Sequence, residues 1–107
     1  MFISLQDLNI MTKVDITIAI CTYNRSRLLK KCLDSLLPQL SEEIEIIVID
    51  NNSHDETADV TKVYTTNYQN IRYLFEKNIG LSHARNRGIK ESKAEWILYI
   101  DDDAMAF

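Results

Sequence analysis

The chain has 107 residues, 46% hydrophobic and 26% charged, the balance of one small globular domain able to bury a core. A net charge of -4 and a pI near 5.1 argue against a nucleic acid or an anionic membrane surface as the main partner. No apolar run approaches membrane-spanning length, and residues 1–13 lack the charged start and long apolar stretch of a signal peptide.

Residues 14–20 alternate Val14, Ile16, Ile18 and Ile20 with Asp15, Thr17 and Ala19 and predict a strand. A polar elbow follows, from Cys21 and Thr22 through Tyr23, Asn24 and Arg25. Leu28, Leu29, Cys32, Leu33, Leu36, Leu37 and Leu40 recur at spacings of three and four, an amphipathic helix ending around Pro38. Cys21 and Cys32 have neither CxxC spacing nor a nearby histidine. Buried free thiols in a reducing, cytoplasmic compartment are expected of them. Residues 44–49 are almost continuously β-branched, as in a parallel strand covered on both faces.

Ser53 and Glu56 have the spacing of a capping box, so a second helix is expected to start there, with Val60, Val63, Tyr64 and Tyr68 on its core side. Residues 71–75 form a third strand. Leu81, Ala84, Gly88 and Ile89 mark the inner stripe of a third helix, with Gly88 where helix and sheet approach closely. Residues 95–100 form a fourth strand. This β-α-β-α-β-α-β alternation predicts an α/β fold: a Rossmann-like parallel sheet with helices on both faces and right-handed crossovers. With strand order 3-2-1-4 a crevice opens beyond the carboxyl ends of strands 1 and 4. Residues 1–13 read as an N-terminal extension and 14–107 as the folded unit.

Asp101, Asp102 and Asp103 stand directly behind the fourth strand. Packed carboxylates repel one another unless a cation sits among them, and hard divalent cations take such oxygens with phosphates as co-ligands. The alternative is a solvated acidic turn. If the backbone stays extended, Asp101 and Asp103 share one side and Asp102 faces the other. Asp50 ends a buried strand, where an unpaired carboxylate is costly. It could accept the N3–H of uracil or thymine, or anchor the following helix through backbone N–H groups. Asn51 and Asn52 read as turn formers. Tyr23 could stack on a base or pack over the sheet edge, Asn24 could cap the first helix, and Arg25 could be a solvated charge. Arg85, in the first turns of the third helix, could bind diphosphate or ribose, or pair with one of the aspartates. His54 and His83 have no partner at ligand spacing.

Four stretches in this order resemble family 2 glycosyltransferases of the GT-A, nucleotide-diphosphosugar transferase fold. They are Thr22 to Arg25; residues 48–53 with Asp55 and Thr57; Asn78, Ile79 and Gly80 with Ala84, Arg85, Asn86 and Gly88; and Asp101 to Asp103. The resemblance implies a donor-binding half for a nucleotide-diphosphosugar, UDP-type favoured, whose sugar passes to an acceptor hydroxyl. Thr22, Tyr23, Asn24, Arg25, Asp50, Arg85, Asp101 and Asp102 would then bind substrate, Asp50 at the base and Asp101 or Asp102 at the ribose. Asp103, with Asp101, would hold Mn²⁺ or Mg²⁺ bridging the diphosphate.

The resembled enzymes continue well beyond the aspartates, so acceptor site and general base are expected outside these residues, and stand-alone turnover is not expected. A non-catalytic nucleotide-sugar-binding module or an inactive fragment is the alternative. A dinucleotide dehydrogenase would want G-x-G-x-x-G after strand 1, where Cys21 to Arg25 stands instead. A phosphatase would place its acidic pair after the first strand, and an EF-hand loop would need a following Gly and Glu. Strand 4 reads as an apolar edge that could self-associate.

Overall fold

The computed structural model describes residues 14–105; the expected extension at 1–13 lies outside them. The elements are β1 (Ile16–Thr22), α1 (Ser26–Leu36), β2 (Ile44–Asp50), α2 (Thr57–Asn67), β3 (Ile71–Phe75), α3 (Leu81–Glu91) and β4 (Trp96–Asp101), with a short 3₁₀ turn at Leu37–Gln39. The strands form one sheet in the order β3-β2-β1-β4, every pair parallel. The order and alternation read from the sequence are therefore those of the molecule.

β1 runs two residues further than its apolar pattern, because it is central. Thr22 pairs with Asp50 of β2 and Cys21 with Asp101 of β4, so Thr22 belongs to the strand rather than to the elbow. One face of the sheet presents Ile20, Ile46, Val48 and Ile71 to Leu29, Cys32, Leu33 and Leu36 of α1 and to Tyr64 of α2. The other presents Ala19, Ile47 and Ile49 to Ala84 of α3. Helices thus cover both faces, and β2 is the strand buried on both.

Two expectations for the helices need correction. α2 starts at Thr57, and neither Ser53 nor Glu56 caps it. Asp55 does so instead: its Oδ1 accepts the Thr57 N–H at 2.9 Å. The later start turns the helix, so Thr57, Thr61 and Tyr64 are buried while Val63 is 59% exposed and Tyr68 lies at the surface. Threonines can face the core because their hydroxyls are locally satisfied, Thr61 Oγ1 donating to the Thr57 carbonyl at 2.7 Å. In α3 the buried stripe is Ala84 and Gly88, with Leu81 and Ile89 exposed. Gly88 does lie at a close approach: a Cβ there would meet the Tyr99 hydroxyl oxygen at 2.9 Å and Ile49 Cδ1 at 3.0 Å.

At the amino ends of the strands, the nearly buried Glu45 interrupts the apolar run of β2. Its carboxylate accepts from Thr17 Oγ1 at 2.8 Å, Arg72 Nε at 2.6 Å and the Lys93 N–H at 3.2 Å. Arg72 also donates to the Glu91 carbonyl. This network ties β1, β2 and β3 to the connection that leads into β4, at the end of the sheet opposite the crevice.

Glu45→Ala leaves the largely buried Arg72 with the Glu91 carbonyl but without its carboxylate, and is expected to cost about 3 kcal/mol of stability by urea denaturation. Gly88→Ala is expected to lower stability by up to about 2 kcal/mol, since overpacking of about 1–3 kcal/mol outweighs a helix-propensity gain of about 1 kcal/mol. In a Tyr99→Phe background the penalty for Gly88→Ala should shrink, because the closest obstructing atom is gone; an unchanged penalty would place the strain elsewhere.

Candidate functional site

The carboxyl ends of β1, β2 and β4 and the start of α3 enclose a crevice of about 410 Å³. Its position follows from the strand order. α1 and α2 leave on one face and α3 on the other, so the chain diverges between β1 and β4.

Thr22, Arg25 and Asp102 form its polar end; Tyr23, Ile79, Leu81 and Ala84 give it apolar wall, with Cys21 and Asn51 between. The backbone turns immediately after β4, where the Ala104 N–H donates to the Asp101 carbonyl at 3.0 Å. The extended continuation expected for the three aspartates therefore does not occur, yet their separation does: Asp102 is 5% exposed, while Asp101 and Asp103 face solvent. It is Asp102 that faces the crevice. Thr22 Oγ1 donates to its Oδ2 at 3.0 Å and Arg25 Nη1 to its Oδ1 at 3.2 Å. Arg25 is half exposed in this pair, so screening leaves it little net stabilisation and it can be redirected cheaply. Among the described residues, no hydrogen bond or ion pair engages the side-chain carboxylates of Asp101 and Asp103.

Asp50 is 1% exposed. Its Oδ1 accepts the Ser53 N–H at 2.9 Å and its Oδ2 the Tyr73 hydroxyl at 2.6 Å. Burial, together with this carboxylate, pushes the Tyr73 phenol well above its ordinary range. Asp50 thus holds the loop ahead of α2 and the Tyr73 side chain of β3 rather than the helix start itself, and the next residue, Asn51, is the one on the crevice wall. Asn24 does not cap α1. Its φ is +52°, its N–H donates to Ser53 Oγ at 2.9 Å, and its Oδ1 accepts the His54 N–H at 2.7 Å. Asp55 Oδ2 meanwhile accepts the Ser26 N–H at 3.0 Å. One carboxylate thus serves the first turns of both α1 and α2. Burial opposes the ionised form of Asp55, but the bonds from Thr57 and Ser26 prevail and hold its pKa below the usual carboxylate value.

Arg85 pairs with none of the aspartates; its guanidinium lies 6.0 Å from the Tyr99 ring centroid. Burial raises the Cys21 thiol to about 11, the charge of Arg85 opposing and that of Asp102 adding. Cys32 is pushed up to about 11 by burial and then by Asp102 and Asp103. Both are free thiols, as expected. His54 and His83 are exposed.

Sequence reasoning missed Asn51, Ile79 and Leu81 as crevice residues. A signal for Ile79 was present, since Asn78, Ile79 and Gly80 stood in a recognised stretch without a role; Asn51 looked like a turn residue. No group of three His, Cys, Asp or Glu side chains among the described residues is arranged as a metal cage. The donor set instead suits a hard cation that takes one or two carboxylates and completes its shell with phosphate oxygens: unengaged Asp101 and Asp103 beside the fixed Asp102.

Comparisons with known proteins bear on the family and the fold. Glycosyltransferase GlyA of Streptococcus pneumoniae is 34% identical over 88 residues, covering 82% of this chain and 13% of that protein. Staphylococcus aureus TarS 1-349 in complex with UDP superimposes with a TM-score of 0.76 at 26% identity, over 84% of this chain and 28% of that one. Mannosyltransferase PcManGT from Pyrobaculum calidifontis, in complex with GDP-Man and Mn²⁺, has a TM-score of 0.78 at 22% identity over 87% of this chain and 28% of that one, a likeness of fold. The chain therefore spans less than a third of each of these proteins. Residues 17–106 match glycosyl transferase family 2, and the chain belongs to that family.

Proposed function

We propose that the crevice binds the nucleoside-diphosphate portion of a sugar donor, as the donor-binding part, residues 14–107, of a glycosyltransferase that passes the sugar to an acceptor hydroxyl. The observation that carries this reading is Asp102, buried at the carboxyl end of the sheet and held by Thr22 and Arg25, with two unengaged carboxylates beside it.

Asp103 and Asp101 would hold Mn²⁺ or Mg²⁺ together with the diphosphate. The cation would neutralise charge developing on the nucleoside-diphosphate leaving group. PcManGT, solved with GDP-Man and Mn²⁺, supports a divalent ion. Asp102 keeps Thr22 and Arg25 in place at the polar end, with the ribose hydroxyls as its ligand. Arg25 can turn from Asp102 to the diphosphate, because half of its side chain is already in solvent. Arg85 lies in the first turns of α3, where the helix N-terminus favours anions. Tyr23, 43% exposed, offers a ring on which a base can stack, with Asn24 holding the elbow that presents it. A UDP-type donor is favoured, in line with the UDP complex of TarS. Asp50 would favour uracil or thymine over cytosine, and reaches a base by releasing Ser53 or Tyr73. No helix among the described residues is long and apolar enough to cross a membrane, and the two free thiols suit the cytoplasm.

Calorimetric titration is expected to show UDP binding more tightly in Mn²⁺ than in EDTA. Asp103→Ala should remove that increment without lowering thermal stability, since its carboxylate bonds no other group among the described residues; equal affinity in Mn²⁺ and EDTA would overturn the metal assignment. Asp102→Ala should cost about 1–3 kcal/mol of stability as well, because it strands the buried Thr22 hydroxyl. In Mn²⁺, UDP should compete about tenfold or more better than CDP, the scale of one charge-assisted hydrogen bond; equal competition would remove the base preference.

A further inference from the structure

We propose that Asn51 is a positioning residue: it clips residues 76–80 into place as the apolar wall of the crevice and so sets nucleotide affinity without reading the base. The inference rests on the donor-site reading above.

Asn51 is 6% exposed and lines the crevice, yet its side chain is engaged by the protein itself. Both Nδ2 hydrogens are used, one on the Glu76 carbonyl at 3.2 Å and one on the Asn78 carbonyl at 2.7 Å. Its Oδ1 accepts the Gly80 N–H at 2.9 Å. Its backbone N–H is bonded to the Thr22 carbonyl at 2.9 Å, so the clip is mounted on the end of β1. Asn52, at φ +65°, adds a bond from Nδ2 to the Lys77 carbonyl at 3.3 Å. Between the end of β3 and the start of α3 the backbone is thus held largely by two successive asparagines.

The held segment carries Ile79 and leads into Leu81, 58% and 55% exposed, which supply apolar wall. Gly80, at φ +141°, gives the turn a backbone conformation that other residues rarely adopt. The chemistry demands an amide at position 51. A carboxylate has the same shape but cannot donate, and would set an anion against two carbonyl oxygens. An apolar side chain would leave the Gly80 N–H and both carbonyls without these partners.

The test combines amide hydrogen exchange at Gly80 in nucleotide-free protein with affinities for UDP, CDP and GDP in Mn²⁺, for the parent chain, Asn51→Asp and Asn51→Ala. Both variants should speed Gly80 exchange by about tenfold or more, while exchange around Glu45 and Arg72 stays as in the parent. Both should weaken the nucleotides the parent binds by a common factor, leaving their ranking intact. Unchanged Gly80 exchange overturns the clip. A changed ranking overturns it in favour of direct base reading. Loss of affinity in Asn51→Asp with parental affinity in Asn51→Ala overturns it in favour of simple repulsion of the diphosphate. Asn52→Ala gives up one bond and should move exchange and affinity in the same direction by a smaller factor; no movement in that variant also counts against the proposal, even if the Asn51 variants fail to fold. A parent chain that binds none of the three nucleotides overturns the donor-site reading, and Gly80 exchange still decides the clip.

Discussion

β1 is paired in parallel on both sides, and the site depends on that. Its register sets Thr22 level with Asp50 and Cys21 level with Asp101, so segments up to 80 residues apart in sequence meet at one rim. The crossovers then leave for opposite faces of the sheet, α1 and α2 to one and α3 to the other. The crevice opens beyond the carboxyl ends of β1 and β4. The crevice is thus a consequence of topology before any side chain is considered, and side chains decide only what it can bind.

The carboxylates at that rim divide by what holds them. Asp50 and Asp102 are buried and bonded on both oxygens; each fixes a piece of backbone or a neighbouring side chain. Asp101 and Asp103 are exposed, with no hydrogen bond or ion pair to their carboxylates among the described residues. Burying an acid without partners would cost more than the fold can spare, so the acids that are structural are the ones with donors around them. The two elbows follow the same logic. Asn24 is bonded to Ser53 and His54, and Asp55 accepts from the Ser26 and Thr57 N–H groups, which locks the starts of α1 and α2 together.

Periodicity sufficed for the elements, since the doubly covered β2, the threefold and fourfold spacing of α1 and the glycine in α3 each have a local cause. It failed for faces and caps. Ser53 and Glu56 have capping-box spacing, but the Ser53 N–H is drawn to Asp50 and Asp55 takes over the helix start. That moved the first turn and put Val63 outside and Thr57 and Thr61 inside. In α3 the size of the side chain outweighed its hydrophobicity: Ala84 and Gly88 face the sheet because only small residues allow the close packing with Tyr99 and Ile49.

The sequence by itself determined the parallel α/β class, the strand order, the family resemblance and the gathering of Tyr23, Asp50 and the three aspartates at one end of the sheet. The α/β class follows from hydrophobic period and element alternation, which are local along the chain; the resemblance rests on four short motif stretches in order, and the 3-2-1-4 strand order, once taken, sets those residues on one rim. Tertiary structure alone decided that Asp102, and not its neighbours, turns inward, that Asp50 bonds Ser53 and Tyr73, that Arg25 rather than Arg85 meets an aspartate, and that Asn51 bonds the segment from Glu76 to Gly80. Each of those depends on which donor lies within about 3 Å of which acceptor once distant segments are packed, and spacing in a single chain carries no record of that.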